Sequence, residues 1–160
     1  PAFVAFQRVA RKHAIPESYA LDLLAGFEMD VADHHYGDLD ETLLYCYRVA
    51  GVVGVMMALV MGVREAHALQ RAADLGIAFQ LTNILRDVGQ DFANDGRIYL
   101  PQEDMMRFGV TREDIATGRR NAAFLALMDF ESVRADEFYR AALAALALPR
   151  LRSGRDVDES

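Results

Sequence analysis

The sequence predicts an all-α protein, and three observations carry that prediction. Apolar residues recur at helical spacing along almost the whole chain, and no segment alternates with a period of two for long enough to argue for a strand. The interruptions are short and carry helix punctuation, as at Pro16, Asp95-Gly96, Pro101 and Gly109. The third is composition: 160 residues, 52% hydrophobic and 26% charged, suffice for one folded domain with a real core.

Each element follows from local chemistry. A first helix is expected over residues 2–14. Pro16 restarts the chain at a first-turn position, and Glu17 suits the positive end of the second helix. Its apolar stripe is Tyr19, Leu23, Leu24 and Phe27, continuing towards Met29 and Val31. A polar loop over 33–38 holds His34 and His35. Residues 43–63 (LLYCYRVAGVVGVMMALVMGV) contain one charged side chain, Arg48. That length could span a bilayer, but a charge inside a spanning helix is costly, and acids and bases flank the run. It is read as a buried central helix, with a membrane hairpin as the rival. Gly51 and Gly54 leave room there for a neighbouring helix or a ligand.

A long helix is expected over 65–92, then a turn at Asp95-Gly96 and an extended run over 97–101. A small helix starts after Pro101 and stops at Gly109. Thr111 and Asp114 have capping-box spacing. The last helix, over 121–148, shows Phe124, Leu127, Met128, Phe138, Ala142 and Leu146 on one side. Residues 1–150 are read as part of one domain and 151–160 as a polar tail. The chain opens at Pro1 already inside a helix and without signal-peptide features, and is read as an internal piece of a longer protein.

Charge and cysteine usage exclude several functions. Acidic residues outnumber basic ones, 24 to 17, so the net charge is −7 and a nucleic-acid partner has no basic footprint. A single cysteine, Cys46, rules out an internal disulfide or multi-cysteine zinc site and suits a reducing, cytoplasmic setting. Cys46 reads as a small core residue. Met56, Met57 and Met61 read first as core filling. His13 and His67 stand alone, without a partner at ligand spacing.

The chemistry is concentrated in the long helix. At about 100° per residue, Gln80, Asn83, Asp87 and Asp91 share an arc of roughly 80°. Ile77, Leu81, Ile84, Leu85 and Val88 form the adjacent apolar side. Two aspartates four apart repel one another and weaken a bare helix, and a divalent cation removes that repulsion. Oxygen donors alone favour magnesium over zinc, and magnesium commonly bridges one or two carboxylates to substrate phosphates. Arg86, Arg97 and Tyr99 lie just beyond and are donors suited to phosphate oxygens. The plain alternative is a solvated face in which Asp87 and Asp91 pair with Arg86 or Arg97.

The stretch QLTNILRDVGQDFANDGRIYLP, residues 80–101, resembles the second aspartate-rich motif of the squalene and phytoene synthases, the head-to-head isoprenoid synthases. The resemblance continues through YCYRVAGVVGVMMALVMGVRE (45–65) and LLAGFEMDV (23–31), and covers about residues 3–150. It implies an isoprenoid-synthase-type helical bundle around a central apolar cavity, incomplete in this chain. It also implies Mg2+, with Mn2+ as a substitute, holding the diphosphates of two prenyl donors. The implied reaction joins two geranylgeranyl diphosphates into phytoene through a cyclopropyl diphosphate, a step of carotenoid biosynthesis. The alternatives are a squalene or dehydrosqualene synthase using farnesyl diphosphate, or a non-catalytic helical relative that binds lipid or protein. Peripheral membrane contact fits any of these lipid substrates.

Carried over by position, Asn83, Asp87 and Asp91 match the second metal motif, with Gln80 one turn earlier in the same cavity. Arg86, Arg97 and Tyr99 match diphosphate-contacting positions. Tyr45 matches a cavity tyrosine that stabilises cationic intermediates or assists ionisation. Val49, Ala50, Val53 and Gly54 match the wall along which a prenyl chain lies. The family's first aspartate-rich motif and a C-terminal helix with further basic and aromatic residues have no counterpart here. The chain is therefore expected to hold half a catalytic centre and to be inactive alone.

Overall fold

Eight α-helices and one π-helical turn account for the regular structure of residues 2–144, the part that the computed structural model describes. They are α1 (Ala2–Lys12), α2 (Glu17–Val31), α3 (Leu39–Cys46), the π-helical turn (Tyr47–Gly51), α4 (Val52–Val60), α5 (Ala66–Asp95), α6 (Gln102–Phe108), α7 (Arg112–Ala116) and α8 (Ala122–Ala144). No strand occurs among the described residues.

Local chemistry sets the ends. Asp38 caps α3 by accepting the Glu41 amide at 3.0 Å. Thr111 and Asp114 form both bonds of a capping box at the start of α7, with Asp114 doing the work usually given to Glu or Gln. Asn121 accepts the Phe124 amide at the start of α8. Gly96 and Gly109 end α5 and α6 at φ of 72° and 71°, left-handed positions that cost a side chain dearly.

The axis of the fold is α5, which packs against α8 on one side and against the π-helical turn and α4 on the other. Ile77, Leu81, Ile84 and Val88 of α5 are all buried, in one core with Tyr36, Tyr45, Cys46, Leu100, Met105 and Leu127. A smaller core joins Val55, Leu59 and Ala73 under Ile15, Tyr19 and Leu69. Cys46 is fully buried, and desolvation pushes its thiol well above the ordinary range, as a core residue requires.

Several expectations are corrected. The run 43–63 is not the central helix; with helix partners on two sides, the 30-residue α5 takes that place. The continuous helix Leu39–Val60 is long and apolar enough to cross a membrane, and 44% of its most apolar stretch is buried against the protein. Val52, Val55, Met56, Ala58 and Leu59 face inward, whereas Met57 and Met61 are exposed and fill no core. In α2 the buried residues are Gly26 and Met29, while Leu24, Phe27 and Val31 of the expected stripe are exposed. The apolar side of α8 holds for Leu127 and Ala142, which are buried, and for Phe124, Met128 and Phe138, which pack partly buried on the core. Leu146 and the tail 151–160 lie outside the described residues.

A buried ionic cluster ties α6 to α8. Arg134 bonds both Asp104 and Glu131, the latter at 2.8 Å, and its guanidinium lies 4.4 Å from the Phe130 ring centre. One cation serves two carboxylates, and burial raises the Glu131 carboxyl from 4.5 to about 7. Between about pH 4.5 and 7 the folded chain keeps a proton there that the unfolded chain has released, so stability falls as pH rises through this window. Glu131→Gln is expected to flatten that fall, read as urea midpoints compared at both ends of the window. A variant that tracks the wild type across the window would assign the proton elsewhere.

Candidate active site

The oxygen stripe of α5 lines one open cleft. Gln80, Asn83, Ile84, Arg86, Asp87 and Asp91 meet Tyr45 and Tyr99 around a volume of about 280 Å³. Seven of the side chains singled out from the sequence are therefore together: six of them polar groups of α5 and the 97–101 segment, the seventh Tyr45 from α3.

Three elements place them. The stripe is a consequence of helix period alone. Tyr45 stands at the end of α3, where the π-helical turn begins; such turns recur at functional sites. Tyr99 comes from the extended connection after α5, which is strapped to the 33–38 loop. Gln102 and Glu103 amides donate to the carbonyls of Tyr36 and Gly37 at 2.9 and 3.1 Å, and the Thr42 hydroxyl donates to the Tyr99 carbonyl at 3.1 Å. The strap stacks Tyr99 on Tyr45 with ring centres 4.9 Å apart, and Tyr36 meets Tyr45 edge-on at 5.4 Å.

The two aspartates differ. Arg86 grips Asp87 with two bonds, from Nε at 2.8 Å and from a terminal nitrogen at 2.5 Å. That bond holds the Asp87 carboxyl below the usual carboxylate range. Asp91 is raised instead, first by partial burial and then by the nearby Asp87 and Asp95 charges. Half of the solvated-face alternative is thus realised, in the exposed Arg86–Asp87 pair. The other half is not: the Arg97 guanidinium lies 3.5 Å from Asp95, not Asp91.

Two donors expected to face phosphate are occupied internally. Arg97 donates to the Asp30 carbonyl at 2.9 Å and lines a neighbouring cavity of about 210 Å³ with Asp33, His35 and Arg112. The Tyr99 hydroxyl donates to the Asp30 carboxylate at 2.9 Å. Burial is the main cause that pushes the Tyr45 and Tyr99 phenols up, as it does for Tyr36.

The expected prenyl wall divides. Val49 presses on α2, where a β-carbon on Gly26 would lie 2.7 Å from its Cγ1. A β-carbon on Gly54 would lie 2.3 Å from the Ala72 carbonyl oxygen, and one on Gly76 would lie 2.4 Å from that of Ala50. The small residues at Ala50 and Gly54 thus bring two helix backbones together, a reason for glycine independent of any ligand. Val53 alone of the four is exposed.

Asp30 is the residue missed by reasoning from sequence. Its partners Tyr45 and Tyr99 are 15 and 69 positions away, beyond any local pattern. One signal existed: an acid in the last turn of α2, where the helix dipole disfavours it.

Among the described residues no group of three or more His, Cys, Asp or Glu side chains could by itself hold a metal. Asn83, Asp87 and Asp91 offer oxygen donors only, and Asp91 is raised first by partial burial and then by its acidic neighbours, a set whose chemistry fits a hard cation with room for further ligands.

Comparison with known proteins bears on the family and the fold. A family model described as Squalene/phytoene synthase matches residues 1–156. The chain is 51% identical to a 15-cis-phytoene synthase of Enterobacter agglomerans over 153 residues, 96% of this chain and 52% of the relative. Its fold matches the squalene synthase HpnC from Alicyclobacillus acidocaldarius with a TM-score of 0.83 at 28% identity, covering 94% of this chain and 58% of the other. A ligand-bound dehydrosqualene synthase matches with a TM-score of 0.72 at 36% identity, over 81% of this chain and 45% of the other. The chain spans about half the length of these proteins. It belongs to the squalene/phytoene synthase family, with the all-helical fold of that family's solved members.

Proposed function

We propose that this chain supplies the second aspartate-rich side of a magnesium-dependent prenyltransferase that joins two geranylgeranyl diphosphates head to head into phytoene. The observation that carries the reading is the single cleft in which Gln80, Asn83, Asp87 and Asp91 face Tyr45 and Tyr99. Asn83, Asp87 and Asp91 would hold Mg2+, which when bound neutralises charge on a departing diphosphate.

The chain's own residues then have distinct tasks. The first donor breaks its C–O bond, diphosphate leaves with the electron pair, and an allylic cation remains. The second donor's double bond attacks that cation, and loss of a proton closes the cyclopropyl diphosphate. A second departure of diphosphate, rearrangement and proton loss give the product. Tyr45 and Tyr99 stand where electron-rich rings favour the cationic carbons. Arg86 neutralises Asp87 until substrate arrives, and its guanidinium suits a diphosphate oxygen. Val53, exposed on α4, is the wall position open to a prenyl chain.

The second reading, squalene or dehydrosqualene synthesis from farnesyl diphosphate, is favoured by the names of the two structural matches. The test is full-length protein given both donors, with and without EDTA, and product length read by chromatography. Phytoene that disappears with EDTA is the expected result. Squalene-length product selects the second reading, and no product in any condition selects a non-catalytic relative.

A further inference from the structure

Asp30 has no part in the reaction as derived above, yet its contacts are specific. Its Oδ1 accepts the Tyr99 hydroxyl at 2.9 Å and the Tyr45 hydroxyl at 3.1 Å, with Oδ2 3.3 Å from the latter. Its carbonyl accepts from Arg97. Asp30 stands in the last turn of α2, against the helix dipole, so the two phenols and the arginine are what compensate it there.

A phenol has one proton to give. With both protons committed to Asp30, Tyr45 and Tyr99 offer the cleft only oxygen lone pairs and ring faces. Acceptors backed by a carboxylate repel a diphosphate and favour a cationic carbon. We propose that Asp30 is a positioning residue that holds the Tyr45 and Tyr99 protons away from the cleft, so that both phenols act on the carbocations and not as donors to diphosphate. This rests on the prenyltransferase reading and deepens it. It also reassigns Tyr99, which sequence placed among the phosphate donors.

The test uses the full-length protein and Asp30→Asn, which keeps the shape but gives the phenols an amide donor. The expected result is a fall in kcat of between about 10- and 100-fold. KM for geranylgeranyl diphosphate, and Kd for inorganic diphosphate, should stay within about twofold. In protein carrying 13Cζ-labelled tyrosine, the Tyr45 and Tyr99 resonances should move, which reports the hydrogen bonds independently of turnover. Adding Asp30→Asn to a Tyr45→Phe, Tyr99→Phe background should cost little more, because effects transmitted through one another do not multiply.

A raised KM with unchanged kcat would make the phenols diphosphate donors and overturn the proposal. Unmoved resonances, or fully multiplicative losses, would overturn it too. If Asp30→Asn does not fold, the double phenylalanine variant decides: lost kcat at constant KM supports the proposal, and a raised KM removes it. Failure of the prenyltransferase reading is distinguishable, since wild-type protein would then give no product before any substitution is made.

Discussion

Asp87→Asn and Asp91→Asn, made singly in the full-length protein, are expected to lower kcat by about three orders of magnitude. Helical circular dichroism should not change. Both charges are spent outside the fold. Among the described residues Asp87 is bonded to the neighbouring Arg86 alone, in an exposed pair of the kind that contributes little to folding. Asp91 is raised by partial burial and by Asp87 and Asp95, so neutralising it relieves strain in the folded state. Neither charge holds the structure, and a large kinetic loss would therefore report chemistry. Wild-type rates in both variants would remove them from the mechanism. The two should also differ in affinity for inorganic diphosphate with metal, because only Asp87 must first release an arginine.

The second large effect is on folding. Gly54→Leu and Gly76→Leu are each expected to cost about 3 kcal/mol or more, since a side chain has no space at either position. The β-carbon alone would sit 2.3 Å from a backbone oxygen at Gly54 and 2.4 Å at Gly76, and helix backbones do not swing aside as a lysine tip does. The urea midpoint of the full-length protein is the measurement. Val53→Leu, at an exposed position of the same helix, should stay within about 0.5 kcal/mol and serves as the control. A Gly54→Leu protein as stable as wild type would show that the two helices can part. The test of prenyl chain length belongs at Val53: Val53→Phe should shift competing donors towards the shorter product without loss of fold.

The helices, their caps and one side of the cleft were legible in the order of residues. A capping box, a glycine stop and an i, i+3, i+7, i+11 stripe are properties of a single helix, written within a dozen residues. That is why Gln80, Asn83, Asp87 and Asp91 were legible, and why the 80–101 motif pointed to the family. A helical wheel cannot contain what depends on packing. The choice of α5 over the more apolar 43–63 run as axis depended on which helix had partners on two sides. The meaning of Gly54 depended on what stood opposite it, and that proved to be the Ala72 carbonyl. The sharing of one carboxylate by Tyr45 and Tyr99 depended on a strap that brings together Asp30 and Tyr99, 69 positions apart in the chain. Hydrogen bonds between distant segments exist only once the backbone is placed, so the donors and acceptors of this site could be named from sequence but not matched to one another.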